Sequence, residues 1–226
     1  MLILNENSQY SANNIHYNYT SAHNIVHFQG NVDVQIVPKN ACSTLKSSFV
    51  NLHYADALTH ATAQYGLADR IRTVNKLREL GLLESGSFYR ANSERYAIYR
   101  DPLKRALSGA VYLLHNRYKY NWNKITPSLV NEFLQVFDYT TDIHMSKQIY
   151  WLGKNKHFFD RVFYINDTRL LLDIIQSKYD RGLFRDVTDL HANKSKVDLT
   201  TDDLDNTTID IITKYYRDDY EFIETL

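Results

Sequence analysis

Apolar positions along this chain fall into short β-branched runs and longer stripes at helical spacing. Ile25–Phe28 and residues 34–37 are two such runs, with Gln29-Gly30-Asn31 between them as a turn signal. Leu45, Phe49 and Leu52 follow at i, i+4 and i+7, the spacing of one helical face. Residues 67–83 read as a helix, with Ile71, Val74, Leu77 and Leu80 on one face and Gly81 near its end. Residues 96–99 are a third short strand. Pro102 then opens a helix whose apolar positions are Leu103, Ala106, Leu107, Ala110, Val111 and Leu114. Proline suits a first helical turn because the donor it lacks would be unpaired there anyway. Residues 129–137, 170–179 and 208–216 are further helices, the second capped by Asp167 or Thr168, and residues 161–165 are a fourth strand. Residues 5–24, rich in Asn, Ser, Tyr and His, show no period and read as irregular.

Strands alternating with helices predict an α/β protein with a central, mostly parallel sheet flanked by helices. No repeat or linker divides the chain, so an irregular lead-in over residues 1–24 and a single domain over residues 25–226 are expected. With 226 residues and 44% hydrophobic content, the chain can bury a sizeable core. The 26 basic and 26 acidic residues cancel, which argues against a nucleic-acid polymer as partner and makes any anion site a local one. The acidic run over residues 198–210 reads as a solvated loop. Cys42 is the single cysteine, so no internal disulfide is expected. The first seven residues have no basic flank and only four consecutive apolar positions, too few for a signal peptide or membrane anchor, so a cytoplasmic location is expected.

Two segments carry candidate chemistry. The strand at 34–37 runs into Pro38-Lys39-Asn40-Ala41-Cys42-Ser43-Thr44-Leu45-Lys46, a loop that turns into a helix N-terminus. The first N–H groups of a helix lack partners and its dipole favours an anion there. Ser43 and Thr44 add hydroxyl donors and Lys39 adds a charge. An ordinary capped helix with surface lysines explains the same residues. It is not a Walker A loop, because the glycines are missing. The second segment, Arg100-Asp101-Pro102-Leu103-Lys104-Arg105-Ala106-Leu107-Ser108, puts Arg100 at a strand end and Ser108 in the second turn of the next helix. A guanidinium and a hydroxyl so placed can meet at a phosphate.

The first segment closely resembles the 5′-phosphosulfate loop of the Golgi-type carbohydrate sulfotransferases, and the second is similar to their 3′-phosphate motif. The resemblance implies a P-loop-like sulfotransferase fold. It also implies transfer of a sulfuryl group from 3′-phosphoadenosine-5′-phosphosulfate (PAPS) to a hydroxyl or amine, with a carbohydrate as the expected acceptor. The product would be adenosine 3′,5′-bisphosphate, and no metal is required. Lys39, Asn40, Ala41, Cys42, Ser43 and Thr44 would hold the 5′-phosphosulfate, and Arg100 and Ser108 the 3′-phosphate. Asn193, Lys194 and Ser195 resemble the late segment that closes over the nucleotide, and Tyr215 to Phe222 resembles the family's ending. Lys39 would offset charge on the leaving phosphate.

A carboxylate or imidazole should take the acceptor's proton. His60 is favoured as this base, since relatives place it on a helix soon after the first loop; His53, Glu94 and His144 are the alternatives. His144 and Gln148 resemble the family's acceptor-side His-x-x-Pro-Gln motif, with Lys147 in place of the proline, and Trp122 in an aromatic cluster could stack on a sugar. The family's Golgi members are membrane-anchored and disulfide-bonded, so a bacterial or viral origin is expected. A nucleotide kinase-like enzyme and a catalytically inactive nucleotide-binding module are the competing functions.

Overall fold

A computed structural model describes residues 2–3, 25–28, 30–41, 44–45, 85–86, 89–153, 155–178 and 196–224. The strands are β1 (Leu2–Ile3), β2 (Ile25–Phe28), β3 (Val32–Gln35), β4 (Ser85–Gly86), β5 (Tyr89–Arg90), β6 (Glu94–Tyr99) and β7 (Arg161–Tyr164). The helices are α1 (Pro102–Asn116), α2 (Pro127–Val136), α3 (Ile149–Leu152), α4 (Thr168–Ser177), α5 (Asn206–Tyr215) and α6 (Arg217–Glu224). The expected helix over 67–83, and Phe49 and Leu52 of the earlier stripe, lie outside the described residues. Within the segment read as an irregular lead-in, β1 pairs antiparallel with β5.

The main sheet has the order β4-β2-β3-β6-β7. β3, β6 and β7 are parallel, and β2 runs antiparallel to both β3 and β4. Four of the five strands therefore point the same way, and the expected mostly parallel α/β sheet is present. The two-residue alternation of β6 divides the core. Tyr96 and Ile98 join Val26, Phe28, Val34, Phe163 and the α4 residues Leu171 and Ile175 on one face. Ala97 and Tyr99 join Trp151 and Leu152 of α3 and Phe222 of α6 on the other. α1, α2 and α5 close a third cluster around Ala110, Leu114, Leu134 and Ile212.

Helix starts follow their capping chemistry. Asp101 accepts from Lys104 N–H ahead of Pro102, Thr126 from Leu129 N–H ahead of Pro127, and Asp205 from Thr208 N–H. Gly109 lets α1 approach the turn at 142–146. A Cβ there would come 3.0 Å from His144 O and run into the Met145 sulfur. None of the helices formed by the described residues is long and apolar enough to cross a membrane.

Near the amino end of β3 a polar cluster is buried. Asp33 is 0% exposed and stands opposite His27 in the β2–β3 ladder, 2.8 Å from its Nδ1. Its carboxylate also accepts from Arg90 Nε at 2.8 Å, Arg90 N–H at 2.7 Å and the Ser93 hydroxyl at 2.6 Å. Burial alone would raise the Asp33 carboxyl, but these bonds outweigh it and hold the group below the usual carboxylate range. Arg90 Nη2 also donates to Phe28 O and Val32 O, so this arginine and carboxylate fasten β5 to the β2–β3 hairpin.

Asp33→Asn should destabilise the protein at pH 7 by about 1.5–3 kcal/mol, the worth of a hydrogen bond to a charged group. A depressed folded pKa gives stability that is present above the unfolded value near ~3.9 and is lost as pH falls through the folded value. The urea-unfolding gap between wild type and variant should therefore narrow below about pH 4; a gap that stays constant down to acid would show that Asp33 does not act as an ion.

Candidate functional site

The two chemistry-bearing segments leave neighbouring parallel strands at the same end of the sheet. β3 and β6 pair with Gln35 opposite Ala97, so Pro38 and Arg100 follow side by side. In open α/β sheets ligands bind outside these carboxyl ends. Asn40 N–H donates to Val37 O at 3.1 Å, closing a turn with Pro38 second and Lys39 third. Lys39 has φ 69°, which with a leading proline defines a type II turn, and Ala41 has φ 57°. Each of these side-chain-bearing residues in the left-handed region costs about 1–2 kcal/mol. Thr44 and Leu45 are helical, and Leu45 N–H donates to Ala41 O at 3.0 Å.

Side-chain amides tie the loops together. Asn40 Nδ2 donates to Ile98 O at 2.9 Å and to Gln148 Oε1 at 2.5 Å. The same Gln148 oxygen accepts from Arg100 N–H at 3.1 Å, and Gln148 Nε2 donates to Arg100 O at 2.8 Å. Arg100 Nη1 in turn donates to Lys39 O at 3.0 Å. Gln148 is held from below by Asp219, whose carboxylate accepts from the N–H groups of Gln148 and Ile149 at 2.9 and 3.0 Å and caps α3. Burial raises the Asp219 carboxyl above its ordinary value, against those two bonds and the charge of Arg105.

Arg105 is 0% exposed, and among the described residues its guanidinium bonds to carbonyls: Nε to Pro38 O at 3.1 Å, Nη1 to Ser146 O at 2.5 Å and Nη2 to Ile143 O at 3.4 Å. Arg100 is half-buried beside it, and burial together with the Arg105 charge lowers its pKa from the usual guanidinium value. Among the described residues no carboxylate lies within ion-pair distance of Arg100. A desolvated guanidinium in that position favours an anion.

Comparison with protein-family models, curated proteins and solved structures gives no match for this chain. The site therefore has to be read from its own residues. Arg105, Ser108, Tyr112 and His115 lie along one face of α1 at intervals of three or four residues. Lys39 Nζ sits 4.6 Å from the Tyr112 ring centroid, and the His144 ring sits 4.4 Å from the same centroid. His144 Nδ1 lies 2.8 Å from Asp142 Oδ1. One turn along, Trp122 stacks on His115 at 3.7 Å.

The structure thus brings Lys39, Asn40, Ala41, Arg100, Ser108, His144 and Gln148 to one end of the sheet. Gln148 is fully buried, and its amide is occupied in joining the loops. Glu94, one of the alternative bases, opens β6 at the end opposite Arg100, where Lys178 and Tyr96 bond it and hold its carboxyl below the usual range. Cys42, Ser43, His53, His60, Asn193, Lys194 and Ser195 lie outside the described residues. From sequence, Arg105 and Asp219 have a place in the resembling segments but no role, and Asp142 has neither. For Arg105 the signal was available: a basic residue between Leu103, Ala106 and Leu107 on the apolar face of α1.

Arg105→Lys should destabilise the chain by at least about 2 kcal/mol, because one ammonium cannot reach all three carbonyls and each buried acceptor left bare costs about 1–3 kcal/mol. Urea denaturation measures this, and a loss within experimental error would mean that the carbonyls are satisfied without the guanidinium.

Proposed function

We propose that this chain is a PAPS-dependent sulfotransferase built on a P-loop-like site, acting on a hydroxyl or amine of a carbohydrate acceptor. The observation that carries the reading is the pairing of the two anion-type segments at the carboxyl ends of adjacent parallel strands, joined by Gln148 and by the Arg100–Lys39 contact. A strained lysine-bearing turn next to a half-buried guanidinium without a carboxylate partner among the described residues fits a ligand with two separate phosphate groups.

PAPS, when bound, supplies the sulfuryl group. Arg100 and Ser108 bind the 3′-phosphate, while the backbone after Lys39, with Ser43 and Thr44, binds the 5′-phosphate. Lys39 offsets charge that grows on the bridging oxygen, so its contribution is greatest in the transition state. Trp122, on its His115 stack, offers an aromatic face to a sugar ring.

Adenosine 3′,5′-bisphosphate should raise the melting temperature more than AMP or ATP. ATP with magnesium performing as well would favour a kinase-like enzyme instead. Arg100→Ala should weaken bisphosphate binding at least ~tenfold, since a charge-assisted hydrogen bond is worth about 1.5–3 kcal/mol. Unchanged affinity by calorimetry in a folded variant would remove Arg100 from the site. Lys39→Ala should lower kcat by roughly 10²-fold, the effect of removing one oxyanion donor, while binding of PAPS changes far less. Full turnover in that variant would mean that the first loop has another role.

A further inference from the structure

We propose that Asp142 and His144 form the proton-accepting pair of this site, with Asp142 positioning the ring and His144 Nε2 taking the acceptor's proton. The proposal rests on the sulfotransferase reading and supplies the base which that reading needs. It assigns a role to Asp142, which lies just outside the segment His144–Gln148, and chooses His144 on geometry.

Three observations converge. Asp142 Oδ1 holds His144 twice, accepting from its backbone N–H at 2.8 Å and lying 2.8 Å from Nδ1. Burial alone would raise the Asp142 carboxyl, but the His144 bonds and the charges of His144 and Arg117 hold it below the usual range. An ionised carboxylate only accepts, so Nδ1 is the ring nitrogen that donates to Asp142 and Nε2 is the one left for the acceptor. A histidine oriented by a carboxylate in this way is the arrangement that hydrolases use for proton transfer.

The second observation is position. The Arg105 guanidinium that holds Pro38 O also holds Ile143 O and Ser146 O, the carbonyls on either side of His144. One side chain thus fixes the lysine-bearing loop and the histidine-bearing turn relative to each other. Third, Tyr112 is shared: Lys39 Nζ and the His144 ring both rest on it. Among the described residues, Asp142 contacts His144 from its own turn, Arg117 at the end of α1 lies 3.4 Å from Asp142, and Lys39 Nζ rests on the same Tyr112 ring as His144.

The transfer balances as a single displacement. As the acceptor oxygen bonds to sulfur, its proton passes to His144 Nε2. The bond from sulfur to the 5′-phosphate breaks, its electron pair leaves on the bridging oxygen, and the imidazolium later returns its proton to water.

The test uses the full chain labelled with ¹⁵N at histidine, with adenosine 3′,5′-bisphosphate as the probe. Calorimetry comes first: no binding overturns the sulfotransferase reading and this proposal with it. In a protein that binds, the His144 resonances should show Nδ1 protonated and Nε2 bare, with Nε2 moving when the bisphosphate is added. Asp142→Asn should mix the tautomers, and Asp142→Glu should restore them in part, which a merely structural role for Asp142 would not produce. Sulfate release from PAPS, with water as acceptor, should fall at least about 10²-fold in His144→Gln, the usual contribution of a general base, with bisphosphate affinity unchanged. If the bisphosphate binds but leaves the His144 resonances in place, or if His144→Gln releases sulfate at the wild-type rate, the pair is not the base. The sulfotransferase reading then still stands.

Discussion

The guanidinium of Arg105, sealed from solvent and bonded to three backbone carbonyls, is the contact on which the rest of the site depends. A buried cation costs several kcal/mol unless it is compensated. Here the compensation comes from carbonyls belonging to two distant parts of the chain, the loop at Pro38 and the turn at 143–146, with the field of buried Asp219 behind them. Neither segment belongs to a regular element that would hold it in place. Their mutual position is therefore set by the planar geometry of one side chain on α1, and α1 is itself brought against the turn through Gly109.

The two ends of the sheet are finished in contrasting ways. At the amino end of β3, Asp33, His27, Arg90 and Ser93 form a closed set of charged and polar groups satisfied by one another. At the carboxyl ends the backbone passes through positive φ at Lys39 and Ala41, and Asn40 Oδ1 is buried without a hydrogen-bond partner among the described residues. The Asp33 cluster is closed upon itself, whereas the bare Asn40 oxygen beside the Lys39 turn stands where a ligand's donor could repay its burial.

Much of this was legible in the sequence where local physics decides. The strands at 25–28 and 96–99, the proline-led helix at 102 and the helices expected at 129–137, 170–179 and 208–216 lie within a few residues of where periodicity put them, while α6 was not foreseen. β3 is displaced, covering Val32–Gln35 rather than 34–37, because Ile36 and Val37 are buried but already lead into the turn. The short α3 was missed, since a helix of four residues leaves no periodic trace and depends on Asp219, a residue 70 positions from Ile149, to cap it. Gln148 was legible as part of the site but not in its role. A motif gives a residue type and a neighbourhood, whereas its hydrogen-bond partners, Asn40 and Arg100, come from segments that only tertiary packing brings near. Asp142 was hidden for the same reason, as were the carbonyl partners of Arg105.

The side-chain link between the two loops is made of amides. Asn40 and Gln148 carry no charge and do not ionise in water, so their bonds to each other, to Ile98 O and to the Arg100 backbone hold equally at acid and alkaline pH. Behind this link stands an acid: Asp219 receives the N–H groups of Gln148 and Ile149, and burial raises its carboxyl above the ordinary value. The loops are thus joined by bonds that ignore acidity and footed on one carboxylate that does not.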